Sequence, residues 1–279
     1  MRLTPLLAAA ALLAACADRP APAPAAAVEQ GAVPYRLAEP DAVVALPAEL
    51  QEVSGLTLLP TGRIGAVQDE VGVLYEVDPG TGDVVRRETF EGRGDFEGVE
   101  LTPDAVWVLR SDGDLYRTRR GADGGVGVEK FETALGARND TEGLGYDAAG
   151  NRLLVACKED PGEGLDGVRA VYAFDLGTLA LSPRPVFTLD RARVDGADPF
   201  KPSALAVRPA TGEVYVLSSV RKALAVVAPD GTLSAVVDLP PELYPQPEGI
   251  AFAADGTLFI SNEGPVGAGT LLRFTPTDA

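Results

Sequence analysis

Short apolar runs, each opened by a small or acidic residue and closed by a turn signal, recur along most of this chain. They open at Ser54 in "EVSGLTL", Glu97 in "DFEGVEL", Glu142 in "DTEGLGY", Ser203 in "KPSALAV" and Glu248 in "QPEGIAF". The intervals between them are 43, 45, 61 and 45 residues. After each comes a turn such as "LPTGR" or "AADGT", then a second apolar run ("IGAVQDE", "VWVLRSD", "LLVACKED", "VYVLSSV", "LFISNE"), then a third. Strand-length runs broken by Gly, Pro and Asp, with a period a little over 40 residues, match a four-stranded propeller blade. No segment beyond the first residues carries a sustained helical period. The pattern therefore predicts an all-β fold, a β-propeller of five four-stranded blades. The fifth unit stops after its third strand at "LLRFTPTDA", so an N-terminal strand from "YRLAEPDAVVALPAEL" is expected to close the ring. Six blades would need a further opening motif between Glu142 and Ser203, and none is found there.

In such a fold the first strand of each blade lines the axis, so Ser54, Glu97, Glu142, Ser203 and Glu248 form a ring. The residue after each is Gly or Ala, as a crowded axis requires. Three carboxylates facing one narrow space repel one another and must take up protons or share a cation. Oxygen donors alone suit a hard divalent cation, calcium before zinc or copper. Because strands alternate in direction, the ends of the second strands lie on the same face. Asp69, Asp112 and Glu263 are thus expected to form an outer acidic tier around Glu97, Glu142 and Glu248. The insertions "KEDPGEGLDGVR" and "DRARVDGADPFKPS" fall on that face too, and long loops gathered over one face mark the working side of a scaffold. The alternative is a solvated acidic mouth with no ion.

Composition narrows the chemistry. The 279 residues include no histidine, which removes Ser-His-Asp and Cys-His catalysis and ordinary zinc sites. A formal charge of −17 argues against nucleic acid, whose phosphates need clustered Lys and Arg. Residues 1–15, "MRLTPLLAAAALLAA", read as a secretory signal. Leu13-Ala14-Ala15-Cys16 resembles the bacterial lipobox, which implies lipidation at Cys16. Residues 16–31 then form a lipid-anchored Pro/Ala-rich linker, and 32–279 the propeller. The expected location is the bacterial envelope, at the outer membrane facing the periplasm, with membrane contact through the anchor only. Cys157, within an apolar run, is expected to be a buried inert thiol.

The segments "GDFEGVE", "NDTEGLGYD", "KPSALAVRPATGEVYVLSS" and "PQPEGIAFAADGTLFISNEG" together resemble the SdiA-regulated (YjiK-like) propeller family, over nearly all of the chain beyond residue 40. The Glu-Gly openings resemble, more distantly, phytase-linked esterase-like domains and calcium-dependent lactonases. The resemblance implies an envelope-associated propeller without naming a reaction. Three functions stand side by side. In the first, a monomer binds a divalent cation and recognises a small-molecule or protein ligand at its loop-covered face. The second is a metal-dependent hydrolase of a lactone or phosphoester, against which the ring offers no Asn, His or Lys as electrophilic partner. The third is a metal-free envelope scaffold.

Overall fold

The computed structural model describes residues 33–121, 125–264 and 266–277; the signal segment, Cys16 and the linker lie outside them. Five antiparallel sheets form a ring of five blades. The first blade is β2 (Val53–Leu58), β3 (Ile64–Gln68), β4 (Val71–Val77) and β5 (Val84–Arg93). The second is β6 (Phe96–Leu101), β7 (Val106–Arg110), β8 (Leu115–Arg120) and β9 (Val126–Phe131). In the third, β10 (Thr141–Asp147), β11 (Arg152–Cys157) and β12 (Val168–Asp175) carry a split outer strand, β13 (Ala180–Leu181) and β14 (Phe187–Asp190), both paired with β12. The fourth is β15 (Ala204–Val207), β16 (Val214–Ser218), β17 (Ala223–Val227) and β18 (Leu233–Asp238). The fifth joins β19 (Pro247–Phe252), β20 (Leu258–Asn262) and β21 (Thr270–Phe274) to β1 (Ala42–Ala45), which pairs antiparallel with β21. The ring is thus closed by a strand from the chain's start. The long interval before Ser203 holds no sixth blade. It is filled by the split strand, the loop after β11, and a short helix, α1 (Arg191–Val194), capped by the Asp190 carboxylate accepting from the Ala192 amide at 2.9 Å.

Inner strands are buried on both faces and outer strands on one. β15, β16 and β19 are buried almost throughout, whereas β5 alternates. The core consists of wedges between neighbouring blades. Val67, Phe90, Val99 and Tyr116 fill the gap between the first two blades, and Trp107, Leu153 and Phe174 the next. Equivalent clusters centre on Val216, on Leu258 and on Leu271 around the rest of the circle. Trp107 packs at a tilt against Phe174 of the following blade with centroids 5.6 Å apart, so the aromatic residues serve inter-blade packing.

Nearest the axis there is no room for side chains at the glycines Gly55 and Gly98, which follow the ring residues. A Cβ on Gly55 would stand 2.9 Å from the Gly98 Cα and from the Val99 amide nitrogen. A Cβ on Gly98 would in turn meet the Leu144 Cβ at 2.7 Å. Both obstacles belong to the next inner strand and cannot swing aside. Gly55→Ala is therefore expected to cost about 1–3 kcal/mol through forced strand separation. Gly127→Ala, whose nearest neighbour lies 3.8 Å away on an edge strand, should leave stability within about 0.5 kcal/mol. Denaturant unfolding of the two variants checks this; equal stability would remove the close-packing account.

Candidate functional site

Each inner strand begins with the same irregularity. The register against its neighbour slips between Val53 and Gly55, Phe96 and Gly98, Thr141 and Gly143, and Pro247 and Gly249. In the fourth blade the Ser203 amide donates to the Leu217 carbonyl at 2.9 Å, although Leu217 already faces Ala204. The extra residue is Ser54, Glu97, Glu142, Ser203 or Glu248 in turn. A β-bulge leaves one residue out of the ladder and re-aims its side chain, and here the five outcast residues lie at one end of the axis. The ring read from the sequence is a ring of bulges.

The two serines are spent on the scaffold. Ser54 Oγ donates to the Phe96 carbonyl at 2.6 Å and Ser203 Oγ to the Pro247 carbonyl at 2.8 Å, each stitching its blade to the next. The glutamates are left to face one another. Glu142 is 4% exposed and Glu248 7%. Burial first, and then the charges of Glu142 and Asp95, push the Glu97 carboxyl up to about 10. Glu142 is raised by burial and by Glu248. Glu248 is raised by burial as well, against the pull of Lys158 and hydrogen bonds from Ser219 and Gln246. Below the ring the axis is shut: a void of only about 10 Å³ remains among Gly55, Val99, Leu144 and their neighbours.

Strand register also decides the outer tier. Gln68, Arg110, Cys157 and Asn262 face the residues that precede the bulges. The next residue in each blade is therefore equivalent: Asp69, Ser111, Lys158 and Glu263, with Ser219 completing the set after β16. Asp69 and Glu263 stand where the sequence placed them. Burial, then Glu52 and Asp95, raise Asp69 to about 6; burial, then Glu248 and Asp69, raise Glu263 to about 8. Asp112 lies one residue beyond the tier. Burial works to raise it, but hydrogen bonds from Arg110 (Nε to Oδ1, 2.9 Å) and the Asp114 amide hold it below the ordinary carboxylate range.

The position sequence reasoning passed over is Lys158. Its ammonium pairs with Glu142 Oε1 and stands 3.9 Å from Asp140, so the mouth does hold a lysine. Burial disfavours its charge, yet Glu142, Asp140 and Glu248 outweigh burial and keep it protonated. The available signal was positional: Lys158 follows β11 just as Asp69 follows β3. Arg169, 5% exposed, fixes it from behind by donating to the carbonyls of Phe200 (2.6 Å), Lys158 (3.0 Å) and Glu159 (3.3 Å). It thereby binds both insertions into one wall, across which Lys201 also pairs with Glu159. The mouth is consequently two-sided, with Lys158, Lys201 and Lys222 along the third and fourth blades and Glu52, Asp69, Asp95 and Glu263 opposite. One ammonium contacts the ring of three glutamates, and Glu142 Oε2 and Asp69 Oδ1 are buried without a hydrogen-bond partner. Among the described residues no group of three or more acidic or thiol side chains is placed to hold a metal ion. Cys157, behind this wall, is buried and pushed up by burial to about 12, an inert thiol.

The model of the family described as SdiA-regulated matches residues 41–266. Among solved structures, a glutaminyl cyclase from Myxococcus xanthus superposes with a TM-score of 0.57 at 16% identity, over 85% of this chain and 94% of that one. The PQQ-bound aldose sugar dehydrogenase of Streptomyces coelicolor gives 0.54 at 15% identity, covering 85% and 97%. A gluconolactonase from Xanthomonas campestris gives 0.52 at 15% identity, covering 80% and 72%. At these identities the likeness is one of fold.

The raised carboxyls set a pH dependence. Each holds its proton more tightly folded than unfolded, so its contribution to stability is complete below about pH 4. That contribution is lost as the pH climbs through about 6 for Asp69, 8 for Glu263 and 10 for Glu97. With chelator present, the unfolding midpoint of the purified protein should fall steadily between about pH 5 and pH 9. A flat or rising midpoint would contradict the charge balance described.

Proposed function

The chain belongs to the SdiA-regulated family, and on that premise we propose that it is an envelope-anchored propeller whose acidic mouth binds a divalent cation and, so loaded, recognises a small-molecule or protein ligand. The observation that carries this reading is the Glu142 carboxylate. It is buried, one oxygen meets Lys158, and the other has no hydrogen-bond partner. An orphaned carboxylate oxygen among three mutually repelling glutamates is costly, and a hard cation relieves both costs at once. The donor set is oxygen only, which suits calcium or magnesium.

Glu97, Glu142 and Glu248 would hold the ion, with Asp69 and Glu263 above them; Asp112, tied to Arg110, serves that site less well. A bound divalent cation supplies charge neutralisation and polarisation of an oxygen on the incoming molecule. Because Lys158 already occupies one oxygen of Glu142, cation and ammonium compete for the same carboxylate. The surrounding wall of insertions, held by Arg169, shapes the space in which a ligand is read.

A second reading, hydrolysis of a lactone or phosphoester, draws support from Lys158. An ammonium beside the ring can hold a developing oxyanion while a neighbouring carboxylate takes a proton from water. The raised carboxyls are suited to that exchange near neutral pH. Lactone turnover lost in Lys158→Met, with cation binding intact, would favour it.

Thermal unfolding with calcium, magnesium or chelator tests the first reading. Calcium at about a hundredfold excess over its Kd adds about 2.7 kcal/mol to apparent stability. The expected result is a calcium-dependent rise that Glu142→Gln abolishes; no rise with either ion overturns it. The anchor is tested in cells, where Cys16→Ala should move the protein from the membrane fraction to the soluble periplasm, and continued membrane retention would contradict it.

A further inference from the structure

At the opposite end of the axis the molecule opens again. Five inner strands end there around a cavity of about 860 Å³, within the range of small-molecule sites. It continues from the axis into the groove between the third and fourth blades. Apolar groups dominate its wall, among them Leu154, Phe187, Val207 and Phe252. One carboxylate interrupts them at the axis. Glu100 Oε1 accepts from Thr57 Oγ1 (2.8 Å) and the Leu101 amide (2.8 Å), and Oε2 accepts from the Tyr146 amide at 3.2 Å.

These bonds tie three inner strands together, but each is neutral. No basic side chain is paired with Glu100 among the described residues, and no charged neighbour contributes to its titration. Other charged groups in the cavity wall are already engaged. Arg152 is paired with Asp147 at 2.7 Å, and Arg208 lies 3.8 Å from Glu213 and over the Tyr35 ring. The cavity therefore offers one carboxylate that lacks a counter-charge, at the inner end of an apolar wall.

We propose that this face carries a second ligand site, which takes a small apolar molecule bearing an ammonium group, with Glu100 as its counter-ion. The apolar body fills the inter-blade groove and the ammonium reaches the carboxylate at the axis. A chain of formal charge −17 draws cations and repels anions at long range, which favours the same ligand class. The site is independent of the mouth: the layer of Leu56, Val99, Leu144, Leu205 and Ile250 separates them. Burial raises Glu100 to about 7, the hydrogen bonds from Thr57, Leu101 and Tyr146 opposing it. An ammonium ligand requires the charged form, so affinity falls as the pH is lowered below about 7.

Calorimetric titration of the full protein with phenethylamine, phenethyl alcohol and phenylacetate tests the proposal. The three probes share a ring and differ in the charge of the end group. Phenethylamine is expected to bind about tenfold or more tighter than the alcohol, with phenylacetate weakest, and to lose affinity below about pH 7. Glu100→Gln should remove the preference for the amine. Ala149→Trp, on an exposed turn at the cavity wall, should block all three probes while leaving Glu100 and the fold untouched. Glu142→Gln, at the far end of the axis, should leave the binding of the amine unchanged. The proposal is overturned if the alcohol or phenylacetate binds as tightly as the amine. It is also overturned if amine binding survives both cavity variants, is lost in Glu142→Gln, or is undetectable at millimolar concentration.

Discussion

The close approach of the inner strands at the axis is the constraint from which the rest follows. Where the first two blades meet, the backbones pass so near that a single added methyl would penetrate the neighbour, as at Gly55 against Gly98. Glycine follows the bulged residue in the first, second, third and fifth blades, and Ala204 does so in the fourth. The bulge that accompanies it takes one side chain out of the ladder and aims it along the axis. A ring of such positions arises however the chain fills it. This chain fills two with serines, which sew blades together, and three with glutamates, which cannot. The same closeness shuts the axis beneath the ring, so that the molecule has two separate ends rather than a channel.

Grouping three carboxylates in a buried ring is unfavourable on its face, since each loses hydration and repels the others. Three kinds of positive charge offset it. Lys158 supplies one permanently, delivered by an insertion that Arg169 braces from behind. Protons supply another, held by groups whose affinity for them is raised well into the neutral and alkaline range. A cation from solution, on the proposed function, would be the third, replacing protons and relieving the orphaned oxygen of Glu142. The mouth is in this sense a balance of charge that shifts with pH.

Much of this was legible in the residues. The repeat carried the blade count and the closing strand, and Glu-Gly carried the ring, because both reflect backbone geometry that recurs at fixed positions. The bulges themselves were hidden, since a one-residue slip leaves no compositional trace. The tier above the ring was read partly out of step for a related reason. Asp112 looks equivalent to Asp69, but register makes Ser111 the equivalent residue and leaves Asp112 to Arg110. Lys158 escaped notice because a single lysine beside Glu159 and Asp160 reads as a solvated charge run. Only the burial of Glu142 gives it a role. Glu100 was indistinguishable from an ordinary strand residue until Thr57 and Tyr146 were seen to hold it from two other blades.

On the proposed function, a divalent cation takes the place of protons among Glu97, Glu142 and Glu248. Calcium titration by calorimetry in buffers of different ionisation enthalpy counts the protons released for each ion bound. Binding near neutral pH with net proton release is expected, because the raised carboxyls must deprotonate to receive the ion. Calcium bound with no proton release, or no calcium bound at all, would contradict it.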